Sequence, residues 1–286
     1  MLNNILDFIP QIPISEATEA VTDWLNDTFS FLFNPIKEYF GDLMEFVAED
    51  VLMNIPPIIF IILVALIAFF ATGKKLGLAA FSIVGLWLIY NQGLWDDLMN
   101  TVTLVLLASL LSIVIGVPIG ILMSKSKTAE MIITPILDFM QTMPAFVYLI
   151  PAVAFFGIGM VPGVFASLIF ATPPTVRFTN LGIRQVSNDL VEAADAFGST
   201  GAQKLFKVEL PMAKATIMAG INQTVMLSLS MVVIASMIGA PGLGREVLSA
   251  LQRSQVGTGF VSGVGIVILA IIIDRMTQSM NKKKAK

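Results

Sequence analysis

From Val102 to Met123 the chain runs without a single charged side chain, and comparable apolar runs recur from residue 53 onward. A run of roughly 20 apolar residues, wound as a helix, matches the hydrocarbon thickness of a bilayer. In that solvent each backbone polar group must find its partner inside the protein. The chain therefore reads as an all-α polytopic membrane protein. Composition agrees, because only 13% of its 286 residues are charged and its mean hydropathy is +0.85, whereas a soluble domain carries about 25% charged residues.

Seven spans are expected, near 53–72, 76–90, 101–123, 139–157, 161–180, 213–238 and 258–274, the second being the shortest. The first ten residues contain no Lys or Arg, and Asp7, Glu16, Glu19, Asp23 and Asp27 interrupt any apolar run, so a cleaved signal peptide is not expected. Basic residues choose the orientation. With the N-terminus outside, Lys74, Lys75, Lys125, Lys127, Arg177, Arg184, Lys204, Lys207, Lys214 and the tail from Arg275 to Lys286 face the cytoplasm, leaving Lys37, Arg245 and Arg253 outside. That asymmetry satisfies the positive-inside rule, and an odd number of spans satisfies the parity.

The segment 1–52 carries two amphipathic patterns, Val21, Trp24, Leu25, Thr28 and Leu32, then Ile36, Phe40, Leu43 and Val47, separated by an expected break at Asn34-Pro35. Such helices lie in the membrane interface or dock a partner, and the pattern fits both. Cysteine and histidine are absent, which removes disulfides, thiol nucleophiles and the usual proton carrier near neutral pH. No metal site and no catalytic residue is expected.

Within the spans, the Gly116, Pro118 and Gly120 run permits a kink and close helix contact. Gln141, Thr142, Met143 and Pro144, and then Pro173 and Pro174, mark helices that should be bent or broken. Asn222 and Ser228, beside Gln223, Thr224 and Ser230, put polar groups in the sixth span. Each of these sets fits helix packing as well as the lining or gate of a solute path. No isolated charge lies deep in an apolar run, so ion-coupled transport is disfavoured. Asp138, Asp274 and Arg275 fall near cytoplasmic ends, where headgroup contact accounts for them.

Between spans five and six, residues 181–212 form a polar loop with two short helical signals. Asp189 followed by Glu192, and Thr200 followed by Gln203, make capping boxes. Leu190, Val191, Ala194 and Phe197 make one apolar stripe, and Ala202, Leu205 and Phe206 another. Gly198 can end the first helix in a left-handed conformation, and Pro211 suits the first turn of the next span. The loop reads as a rigid projection, either a cap on the bundle or a lever for another protein.

Glu192-Ala193-Ala194, Gly198 and Val208-Glu209-Leu210-Pro211 resemble the EAA motif of binding-protein-dependent ABC importer permeases, with Val208 at the usual isoleucine position. DFMQTMPAFVYLIP (138–151), the stretch 160–177 and IGAPGLGREV (238–247) are similar to the glycine betaine, carnitine, choline and proline branch, closest to permeases of Gram-positive glycine betaine importers. The resemblance implies the type I importer fold, with a second permease copy, two cytoplasmic ATPases and an extracellular solute-binding protein as partners, besides membrane lipid and without nucleic acid. ATP and Mg2+ would sit on the ATPases, since no GxxxxGK[ST] loop occurs here. It makes Glu192, Ala193, Ala194, Gly198, Leu205, Phe206, Leu210 and Pro211 the ATPase-coupling residues. The chain ends at Lys286, so the receptor is expected to be a separate polypeptide.

The expected organisation is an extracellular N-terminal segment 1–52, two accessory spans in 53–97, a core permease domain 98–274 and a basic cytoplasmic tail 275–286, in the bacterial plasma membrane. The expected function is ATP-driven import of glycine betaine or a related quaternary-ammonium osmoprotectant, the chain itself being no enzyme. The rivals are a permease for another small solute such as an amino acid, an ion-coupled transporter, and a scaffold that transports nothing.

Overall fold

The structure, a computed structural model, describes residues 13–282. The first ten residues, Asp7 among them, and Lys283, Lys284 and Lys286 of the basic tail lie outside the described residues. The described residues contain helices and no strands. Helix α1 spans Ile14–Glu45 and runs on as a π-helical turn, Phe46–Met53. The chain then bends by 95° into α2, Pro57–Ala71, and returns as α3, Leu76–Asn91. Next come α4, Trp95–Lys125, α5, Lys127–Thr142, and α6, Leu149–Phe156, entered through a 3₁₀ turn at Ala145–Tyr148. Helix α7 covers Met160–Arg184. The loop helices are α8, Asn188–Ala196, and α9, Gly201–Lys204, and a π-helical turn at Leu205–Glu209 leads into α10, Leu210–Ser236. Helices α11, Leu243–Gln252, and α12, Val256–Lys282, complete the described chain.

Three stretches are long and apolar enough to cross a membrane alone: α4, the continuous Gly201–Ser236 helix that includes α10, and α12. Counting each of two bent pairs as one span raises the number to five. Of the seven expected segments the remaining two are α3, with 16 residues, and α7, whose sides are covered by α4 and α10. Two expectations need correction. The Asn34-Pro35 break does not occur, because α1 continues through Pro35; proline removes one amide bond, and the carbonyl it frees belongs to the exposed Phe31. The span expected at 139–157 is broken: α5 begins at Lys127, and the chain turns by 110° between Thr142 and Ala145.

The core is the seam between α4, α7 and α10, the most extensively packed helices. Leu98, Leu104, Val105 and Ala108 of α4 meet Val164 of α7, Leu229, Val232 and Ala235 of α10, and Leu269 of α12. Lipid tails are as apolar as these side chains, so burial gives little net drive, and close packing must hold the helices together. Glycine permits it. A Cβ at Gly120 would stand 2.5 Å from Thr179 Cβ and 2.6 Å from the Val176 carbonyl oxygen, and one at Gly220 would stand 2.5 Å from Phe178 Cβ. The expected close contact of the Gly116–Gly120 run is with α7, and α4 passes through Pro118 without interruption. Around this seam α2 and α3 leave Ile58, Ile62, Leu66, Ile83 and Trp87 exposed, as lipid-facing helices do.

Candidate coupling loop and membrane path

At one end of the bundle, α8 and α9 form a bent pair. Ser187 is the N-cap of α8, without a side-chain bond. The capping box expected at Asp189 is therefore absent; Asp189 lies within the first turn, where its charge complements the helix N-terminus. At α9 the box is present: the Thr200 hydroxyl accepts from the Gln203 amide, and the Gln203 side chain accepts from the Thr200 amide. Gly198 turns the chain at φ 74°, a conformation costing other residues about 1–2 kcal/mol. The Lys204 ammonium, 2.8 and 2.9 Å from the two Asp195 oxygens, ties the helices together.

The apolar stripes divide. Ala194 is buried, and Leu205 and Leu210 pack on Ile183, Ala213 and Ile217 at the root of the loop. Phe197 is 89% exposed, Phe206 66% and Leu190 41%. Glu192 and Ala193 are exposed on the same short helix, and Pro211 lies in the first turn of α10.

Charge pairs surround the loop's root. Lys125, ending α4, pairs with Glu209, ending the π-helical turn. Arg184, ending α7, lies 2.6 Å from Glu130 of α5 and donates to the Met123 carbonyl at 3.1 Å. Asp138, expected to meet headgroups, instead pairs with Arg177 of α7, so α5 is held to α7 at two points. Sequence reasoning missed these pairs, since the partners are far apart in the chain and no spacing rule links them.

The break after Thr142 has a specific cause. Pro144 lacks the amide that would bond the Met140 carbonyl, and the Tyr148 hydroxyl donates to that carbonyl instead. Pro144 itself was the signal that some donor had to be nearby. Tyr148 is buried against Phe170, while Phe155 and Phe156 stack on Phe33 and Phe165. Phe139 and Phe146 face outward, so these rings form no common cage.

Of the candidate path residues, Gln141, Thr142 and Pro144 are exposed and Met143 is half-buried. Pro173, Pro174 and Ser228 are buried in the α7–α10 seam. Asn222 donates to Asp274 of α12 at 2.9 Å, while its own Oδ1 is buried without a partner. The structure thus separates the set into an exposed group at the α5 break and a buried group that joins helices. Along α10 and at the residue just past its end, the exposed positions Met212, Ala219, Gln223, Ser230 and Met237 recur at helical spacing. Two polar groups on that stripe fit lipid poorly.

A model for the inner membrane component of binding-protein-dependent transport systems matches residues 112–286. The glycine betaine/carnitine transport permease protein GbuB of Listeria monocytogenes is 60% identical over 277 residues, covering 96% of this chain and 98% of that protein. The glycine betaine transport system permease protein OpuAB of Bacillus subtilis is 50% identical over 279 residues, covering 98% of each. The inward-facing MetNI methionine ABC transporter has a chain that aligns with a TM-score of 0.59 and 21% identity, covering 69% of this chain and 96% of its own.

Proposed function

The chain belongs to the inner membrane components of binding-protein-dependent transport systems, and on that premise we propose that it is the permease subunit of an ATP-driven importer of glycine betaine or a related quaternary-ammonium osmoprotectant. It is a multi-pass protein of the plasma membrane and a transport subunit, not an enzyme. Relatives at 60% and 50% identity over nearly the whole chain carry glycine betaine in their names, which supports that solute over an amino acid.

The observation that carries the coupling role is the exposure of Leu190, Phe197 and Phe206 on a capped, glycine-bent, ion-paired projection. Several large apolar side chains exposed on one short polar loop mark a protein contact. The projection lies on the side richer in basic residues, which supports a cytoplasmic position and an N-terminus outside. In this reading two permease copies carry two ATPases through Glu192, Ala193, Phe206 and Pro211 around the Gly198 bend, while Ala194, Leu205 and Leu210 pack inward and seat the loop on the bundle. A separate extracellular protein delivers the solute. ATP and Mg2+ belong to the ATPases; nucleotide closure moves the two loops, and hydrolysis resets them.

Gln141, Thr142, Met143 and Pro144, with the polar stripe of α10, would face the second copy and line the path. Pro173, Pro174, Asn222 and Ser228 would shape the helices behind it. Reconstitution with candidate ATPases and receptors, followed by uptake of labelled betaine, carnitine, choline and proline, tests the reading. ATP-dependent accumulation of betaine is expected. Uptake that survives ATP depletion while an ion gradient is held would overturn it, as would no uptake of any of the four.

A further inference from the structure

Glu209 is the only charged residue of the buried class among the described residues, with 5% of its surface exposed. It stands at the last position of the π-helical turn that joins the loop helices to α10, and π-helical turns often mark functional positions. Its carboxylate pairs with Lys125, 84 residues away at the end of α4.

The surroundings give the pair a direction. Leu205, Leu210, Val117, Ile121, Ile183 and Ala213 fill the space around the loop's root, and apolar contacts of this kind hold no fixed orientation. A charge-assisted hydrogen bond does, and Glu209 could not be left unpaired in this burial without a large penalty. Beyond Lys125 the chain passes through Ser126, which caps α5 by accepting from the Ala129 amide at 3.2 Å. Helix α5 is clamped to α7 by Glu130–Arg184 and Asp138–Arg177 and ends at the break before Pro144.

We propose that Glu209 and Lys125 are a positioning pair that makes the loop helices and the start of α5 move as one body, so that displacement at the ATPase face reaches the break at Met143-Pro144. The proposal rests on the assigned role as an ATP-driven permease. It gives the root of the loop a second output besides α10 itself.

The test uses the full complex of permease, ATPases and receptor in proteoliposomes. Glu209→Gln should lower solute moved per ATP hydrolysed by about tenfold while hydrolysis stays near wild type. Lys125→Met should do the same, Lys125→Arg should not, and the exchange Glu209→Lys with Lys125→Glu should recover most of the ratio. A second readout does not depend on solute. The chain has no cysteine, so Ala202→Cys and Met131→Cys can be spin-labelled on the purified permease before the ATPases and receptor are added, and the labels then report the separation of α9 and α5. That separation should stay constant on nucleotide binding in wild type and change in Glu209→Gln. An unchanged transport ratio in the single variants, joint loss of hydrolysis and transport, failure of the exchange, or identical label behaviour in both proteins overturns the proposal. Absence of uptake by the wild-type complex tells against the assigned function alone, and the labels still decide the pair.

Discussion

The hydroxyls of Thr175 and Thr224 lie 2.8 Å apart across the buried seam between α7 and α10, and Thr224 Oγ1 also lies 2.8 Å from the Ala171 carbonyl oxygen. If Thr224 donates to that carbonyl, Thr175 donates to Thr224, and both hydroxyls are satisfied. The contact sits in the turns around Pro173 and Pro174, where α7 has lost two amide donors.

Replacing Thr224 by Val keeps the shape and removes the hydroxyl, leaving Thr175 with no partner in a buried site. The expected cost is about 1–3 kcal/mol, read as a lower midpoint of thermal unfolding in detergent. Replacing both threonines by Val should cost less than the two single changes added together, because neither side is then left unsatisfied.

Gly120→Ala should be severe. Its Cβ would meet both a side-chain carbon and a backbone oxygen of α7 at less than 3 Å, and neither can yield without moving the helix. Gly257→Ala, where nothing lies within 4 Å, is the matched control. The expected outcome is loss of monodisperse protein in size-exclusion chromatography for the first and normal yield for the second.

Gly198→Val should leave the membrane bundle intact and abolish receptor-stimulated ATP hydrolysis in the reconstituted complex. No atom lies within 4 Å of a Cβ there, so the cost comes from the backbone alone, about 1–2 kcal/mol, and β-branching stiffens it further. Gly198→Asn should retain function, since Asn visits the left-handed region. Equal activity of the Val variant and wild type would show that the bend is dispensable.

Phe197→Ala and Phe206→Ala should not alter the unfolding midpoint of the isolated permease, because both rings are mostly exposed. They should weaken co-purification of the ATPase by about 2 kcal/mol or more if they are anchors of that contact. Copurification at wild-type stoichiometry under stringent washing would count against the docking role.

Much of this arrangement is legible in the amino-acid chain. The apolar runs locate the long helices, Thr200 and Gln203 announce the start of α9, and Gly198 announces the bend, because each depends on residues close together in sequence. What was not legible depends on distance. Pro144 says that a carbonyl loses its donor but cannot say that Tyr148 supplies one. Asp138 near the end of an expected span looks like a headgroup contact until α7 brings Arg177 beside it. Pro35 looks like a break, but an exposed helix tolerates one freed carbonyl. The Asp189 box failed because the chain leaves α7 through Gln185–Ser187 and enters α8 before Asp189, at Asn188.

The unbroken helix from Gly201 to Ser236 has 36 residues, a rod of about 54 Å at 1.5 Å per residue. One tip belongs to the loop; at the other, the Ser236 hydroxyl lies 3.2 Å from the Gly244 carbonyl oxygen at the turn into α11. A rod of that length magnifies rotation: a tilt of about 5° about one tip swings the opposite tip by about 5 Å, comparable to one helical turn. A small rocking motion at one surface can thus be felt at the opposite surface through one continuous run of helical backbone, whose one irregular segment is the π-helical turn at Leu205–Glu209.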